Sequence, residues 1–217
     1  RAKRYKKRGQ NNCFMTAYDT TAVASGDPAT RPRGKKLPRN LALQSGGHAE
    51  MALDQYAVIP TFAINSQLVE RTPYLVERIA ARGDEILGHG WNMDSLHYVG
   101  MPYRFRTGSG ELVAMPLSNE LEDRFVLMNN LHSEQSWAEQ VCDACDFLLG
   151  EAETSGGRSL GLNIHPWMLG QPHRIDKLEQ VLEYITGRNG VWSAGATNIL
   201  DAWENPRHKP YKRHALI

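Results

Sequence analysis

Apolar positions along the chain fall into two periods, one of about two residues or continuous and one of three to four, and the periods take turns. Residues 13–18 read as a first strand ending at Asp19, and residues 57–64 (Ala-Val-Ile-Pro-Thr-Phe-Ala-Ile) as a second. Between them, 25–40 is rich in Gly, Pro, Arg and Lys and reads as a long loop, and 47–56 is helical. Asn65 and Ser66 are placed to cap a helix whose apolar stripe is Leu68, Val69, Leu75, Val76 and Ile79, and Gly83 stops it. Residues 85–88 form the next strand, 94–110 show no clear period, and 111–116 suggest a further strand. Ser133 opens a helix running to about residue 149, and a turn-rich stretch at 154–158 leads into a strand at 159–164. A helix at 176–186, a strand at 190–193 and a last helix at 198–203 complete the pattern. Strands alternating with helices predict an α/β fold with a parallel sheet.

Two of these strands end on a histidine followed by a residue that turns the chain: His89 before Gly90, and His165 before Pro166. In α/β folds ligands bind at the carboxyl ends of the strands, so the two histidines are expected to converge on one enzyme-type site. Gly108-Ser-Gly110 lacks the strand-to-helix setting of a nucleotide-binding loop. No internal repeat is visible.

The 217 residues suffice for one substantial core, and 41% hydrophobic with 23% charged residues is the composition of an ordinary globule. The formal charge of +1 hides an asymmetry: residues 1–40 carry +9 and residues 207–217 carry +4, which leaves the body strongly acidic. The chain divides accordingly into a basic arm with the first strand and loop (1–40), an α/β body (41–206) and a basic tail (207–217). Arg1, Lys3, Arg4, Lys6, Lys7 and Arg8, with Lys209, Lys212 and Arg213, are candidate contacts for RNA or another anionic surface. The alternative is a solvated pair of tails.

Cys142 and Cys145 form a Cys-x-x-Cys, but Trp137, Val141, Ala144, Cys145 and Leu148 recur at helical spacing around them. No second pair exists to complete a zinc site, so packed thiols are expected rather than a redox or metal centre. No run approaches a membrane span, and no secretory leader is visible in these residues. A reducing intracellular compartment is the expectation.

Ile59-Pro-Thr-Phe-Ala-Ile-Asn65, then Pro73, Ile79 and Gly83-Asp-Glu-Ile-Leu-Gly-His89-Gly-Trp91, resemble the core of the polysaccharide deacetylase (NodB-homology) superfamily. His165-Pro-Trp-Met-Leu-Gly-Gln-Pro-His173-Arg174, with Gly190-Val-Trp192 and Met115-Pro-Leu-Ser-Asn-Glu-Leu-Glu-Asp123, are similar to its allantoinase-like and peptidoglycan-deacetylase-like branch. The resemblance covers residues 57–93 and 110–203 and implies a partial or distorted (β/α) barrel. It implies hydrolysis of C–N bonds in acetamides or ring amides, as part of carbohydrate metabolism or related chemistry. In that family a metal polarises the amide carbonyl, a carboxylate activates water, and a late histidine protonates the leaving nitrogen.

Carried over residue by residue, the resemblance makes His89 the first metal histidine and His165 the proton donor. Asp19 is the candidate first-strand carboxylate, or alternatively a turn cap. A divalent metal such as zinc is the implied cofactor. The second metal histidine belongs four residues after His89, where Met93 stands, and the family's paired acid belongs at Thr20. Asp94 and His97 are the nearby alternative ligands. Trp91, Asn92, Trp167, His173 and Arg174 are candidate substrate contacts, whereas Trp137 and Trp203 sit in helical stripes and belong to the core. After Met93 the family places a βα step and an arginine-proline motif for which 94–102 is too short.

Two readings follow. One is a deacetylase-like hydrolase of non-peptide C–N bonds, metal-dependent or metal-independent, acting on an amide-bearing small molecule or an N-acetylated sugar. The other is an inactive descendant of that family serving as a structural subunit of a ribonucleoprotein or other large assembly through its basic termini.

Overall fold

The computed structural model of the chain describes residues 15–19, 39–64, 66–88, 102–108, 110–115 and 117–205. In chain order these give β1 (Met15–Asp19), α1 (Arg39–Gln55), β2 (Pro60–Ile64), α2 (Ser66–Arg71), α3 (Pro73–Arg82) and β3 (Glu85–Gly88). Then come β4 (Tyr103–Thr107), β5 (Gly110–Ala114), α4 (Glu134–Ser155), β6 (Gly161–Ile164), α5 (Pro166–Leu169), α6 (Ile175–Thr186) and α7 (Ala196–Glu204).

The main sheet is parallel, with four strands in the order β3-β2-β1-β6. From β1 the chain steps outward in one direction to β2 and β3, and returns on the other side as β6. The order therefore reverses between β1 and β6, and that gap at the carboxyl edge is where open α/β sheets place ligands. The register sets Tyr18 opposite Ile164, so Asp19 and His165 come next at the ends of neighbouring strands. The α/β architecture expected from the sequence is present. Closure into a barrel is not seen among the described strands.

β2 is buried at every position, as expected of an interior parallel strand read as a continuous apolar run. The main core joins Leu53, Val58 and Ile79 with Trp137, Val141 and Leu148 of α4 and Leu178, Val181 and Leu182 of α6. Ser133 caps α4, its hydroxyl accepting from the Ser136 N–H at 3.1 Å. Gly83 ends α3 in the left-handed region at φ 73°, turning the chain into β3 at low steric cost.

Several elements differ from the sequence reading. The helix expected after Asn65 breaks at Thr72, because Pro73 cannot donate to the preceding turn and starts α3 instead. Residues 103–107, read as irregular, pair antiparallel with β5 as a hairpin in which Thr107 faces Gly110. Residues 190–193 form no strand, since they find no sheet neighbour among the described residues; Val191 and Trp192 pack as loop residues against the core. α1 starts at Arg39, within the stretch expected to be a loop, and α4 continues to Ser155.

α7 is tied to the sheet from a distance. Glu85, at the start of β3, accepts from the backbone N–H groups of Ala196 at 2.6 Å and Thr197 at 2.9 Å, and from the Thr61 hydroxyl at 2.7 Å. A Cβ on Gly195 would come within 2.8 Å of that carboxyl carbon, so any larger residue there would push the Glu85 carboxylate from its place. Burial pushes the Glu85 carboxyl up, but the hydrogen bonds from Thr197, Thr61 and the Ala196 N–H outweigh it and hold it below the usual range. At its far end α7 meets the hairpin through Arg104, which pairs with Glu204 at 2.5 Å and lies over the Trp203 ring.

Candidate active site at the end of β6

His165 follows the last residue of β6 and caps the single turn of α5, with Pro166 at the first helical position. Its backbone carbonyl accepts from Met168 and Leu169, and its backbone N–H donates to Asp123 Oδ2 at 2.8 Å. Its ring Nδ1 lies 2.6 Å from Asp123 Oδ1. Both side chains are almost fully buried, at 2% and 0% exposure. A carboxylate oxygen accepts, so Nδ1 is the donor to Asp123.

Asp123 reaches this place by a short chain of anchors. Ser118 bridges to Leu162 of β6, its N–H donating to the Gly161 carbonyl at 3.3 Å. Its hydroxyl accepts from the Leu121 N–H at 3.3 Å. The fully buried Trp137 donates its indole N–H to the Leu121 carbonyl at 3.0 Å. Glu122 and Asp123 follow directly, and a π turn (Phe125–Asn129) continues from them. Besides His165, Asp123 Oδ1 takes the Arg124 N–H at 2.7 Å. Glu122 flanks the other side of the imidazole, with Oε1 3.4 Å from Nε2.

Of the residues singled out from the sequence, His165 and Trp167 meet: their ring centroids are 5.7 Å apart in an edge-to-face arrangement. The Trp167 indole N–H is buried and has no hydrogen-bond partner among the described residues. Asp19 ends the strand beside β6, and only its backbone is described. Arg174 is engaged elsewhere, in a 2.6 Å ion pair with Glu134 that ties the loop after α5 to the start of α4. The backbone N–H of Glu134, then Arg174, hold that carboxyl below the usual range. His173 is exposed. His89, Trp91, Asn92, Met93, Asp94 and His97, and the basic residues at both ends of the chain, lie outside the described residues.

The sequence reading did not assign Asp123 or Glu122 a role. The available signal was a pair of acids ending a motif already matched to the family, just before a turn and outside any amphipathic helix. Cys142 and Cys145 lie in α4 as free thiols, as expected, and burial first, then Cys145, Asp146 and Asp143, push the Cys142 thiol up to about 11. Trp203 is only half-buried, under Arg104 rather than in the core.

The fold is that of solved polysaccharide deacetylase-type structures. A crystal structure titled "putative polysaccharide deacetylase" from Mycobacterium smegmatis aligns over 99% of this chain and 97% of its own, with TM-score 0.69 and 18% identity. Puue allantoinase aligns over 96% and 94%, with TM-score 0.73 and 15% identity. In sequence the chain is 26% identical over 126 residues to a Schizosaccharomyces pombe protein named "Putative polysaccharide deacetylase". That match takes in 56% of this chain and 39% of the yeast protein, so the chain spans about two-fifths of that relative's length. No family model matches. The resemblance to the deacetylase superfamily read from the motifs therefore holds in the curated relative and in the fold.

The positions that the resemblance assigns to a divalent metal, His89 and the residue four further on, lie outside the described residues. Met93 stands where a second histidine is required, and a thioether is a poor partner for such an ion. Among the described residues no group of three His, Cys, Asp or Glu side chains is placed to hold one. No described helix is long and apolar enough to cross a membrane.

Proposed function

We propose that the chain is a deacetylase-like hydrolase of non-peptide C–N bonds, with His165 as the group that protonates the leaving nitrogen. The observation that carries this is the buried Asp123–His165 pair at the point where the strand order reverses. Asp123 fixes the ring through Nδ1 and the backbone through Oδ2, so Nε2 is presented in one orientation. As the C–N bond breaks, the imidazolium is the source of the proton that nitrogen takes, so that nitrogen leaves as a neutral amine instead of an amide anion. Asp19, at the end of the adjacent strand, takes the proton of the attacking water, and His89, after β3, polarises the carbonyl. The substrate is an N-acetylated sugar or a ring amide, in keeping with the names of the similar proteins.

The test is release of acetate from N-acetylated sugar oligomers and ring opening of allantoin by the purified chain. His165→Ala and Asp123→Asn are each expected to lower kcat by about 10²–10⁴-fold, the usual weight of a positioned proton donor. Hydrolysis that survives His165→Ala at the wild-type rate refutes the proposal.

The charge distribution favours a second reading, an inactive member docked in a large assembly. Ends of +9 and +4 on an acidic body suit an anionic partner such as RNA. RNA binding that weakens steeply between about 50 and 200 mM salt supports it, and salt-insensitive or absent binding excludes it.

A further inference from the structure

The proton donor is flanked by two carboxylates. Asp123 Oδ1 holds Nδ1 at 2.6 Å, and Glu122 Oε1 lies 3.4 Å from Nε2. Exposure rises along this row, from 0% for the Asp123 side chain to 2% for His165 and 15% for Glu122. Glu122 is thus the member of the three that solvent reaches, and it stands on the nitrogen whose proton must travel. Arg124, whose Nε is 3.8 Å from the same Glu122 oxygen, adds a cation from the solvent side.

We propose that Glu122 is a catalytic residue that passes the proton between His165 Nε2 and the substrate, which rests on the reading of His165 as the proton source. The Nε2–H bond breaks as an O–H bond forms on Glu122. That O–H bond then breaks as an N–H bond forms on the leaving nitrogen, which keeps the electron pair of the C–N bond. The hydroxyl of the attacking water stays on the acyl carbon, its proton is taken by Asp19, and loss of that proton from Asp19 with reprotonation of the imidazole resets the site for the next turnover. The step requires a proton on both ring nitrogens, and the carboxylates at 2.6 Å from Nδ1 and 3.4 Å from Nε2 favour that form.

The experiment uses the full chain, labelled with ¹⁵N at histidine, in wild type, Glu122→Gln, Glu122→Asp and His165→Ala. The first measurement is the titration of the His165 ring by NMR, which needs no substrate. Glu122→Gln is expected to lower its midpoint by about one pH unit or more, a tenfold loss of proton affinity, while Glu122→Asp keeps most of it. The second is hydrolysis: Glu122→Gln is expected to lower kcat by about 10–10³-fold with KM nearly unchanged, and Glu122→Asp to recover part of it. The relay is supported when both quantities move and overturned when either stays at the wild-type value. A wild-type chain that hydrolyses no amide, or hydrolysis that survives His165→Ala, overturns the parent reading and the relay with it.

Discussion

Glutamine in place of Glu85 keeps the size of the side chain and one acceptor oxygen but removes the charge that closes α7 onto the sheet. In the wild type the carboxylate serves the first N–H groups of α7 and the Thr61 hydroxyl together. Losing an N-terminal cap costs about 1 kcal/mol, and losing an anion at a helix N-terminus about 0.5–1 kcal/mol more. The sum of about 2 kcal/mol falls to about 1 kcal/mol, because water reaches part of the carboxylate and the glutamine keeps one acceptor oxygen. For a 217-residue chain each kcal/mol moves the melting temperature by about 2–4 °C, so a drop of about 2–4 °C is expected at pH 7. The sign with pH also follows. The folded Glu85 carboxyl is held below its unfolded value of roughly 4.3, so its contribution is fully present above that pH and is lost as pH falls through the folded value. The gap between wild type and variant, read by thermal melts monitored by circular dichroism, should therefore narrow on acidification. A variant melting within a degree of wild type at pH 7, or a gap that widens in acid, refutes the latch.

Two further expectations come from α4. Trp137→Phe removes the donor to the Leu121 carbonyl and leaves a smaller ring in a fully buried place, a loss of about 2–4 kcal/mol by urea denaturation; an unchanged midpoint refutes the anchor. With its thiol pushed up to about 11, Cys142 should react with iodoacetamide at pH 7.5 roughly a hundredfold more slowly than a free cysteine, and mass-mapped labelling at the free-thiol rate contradicts that.

The parts of the fold legible in the sequence are those whose pattern and packing agree. β2, β3 and β6 were visible as apolar runs bounded by turn residues, and α6 and α7 by their periodicity. The hairpin was missed although Tyr103-Arg-Phe-Arg-Thr107 alternates and Gly108 and Gly110 bracket its turn, the usual hairpin signal. Val191 and Trp192 carry strand propensity, but propensity yields where no neighbouring strand offers hydrogen bonds. His165 was identifiable because its local frame, strand then proline turn, is written in adjacent residues. Asp123 was not, since its partner lies 42 residues away and contacts distant in sequence, the Ser118 bridge to β6 among them, bring the two together.

The way His165 is held bears on when the site can exist at all. Its amide, its carbonyl and one ring nitrogen are each committed to a partner inside the protein, so neither its backbone nor its rotamer has freedom left to lose on meeting a ligand. The ordering entropy is settled once, during folding. The same economy makes the centre all-or-none: any local opening that lifts 117–123 from β6 removes orientation, tautomer and backbone restraint in a single event. For this residue, the orientation of the ring and local stability are one property.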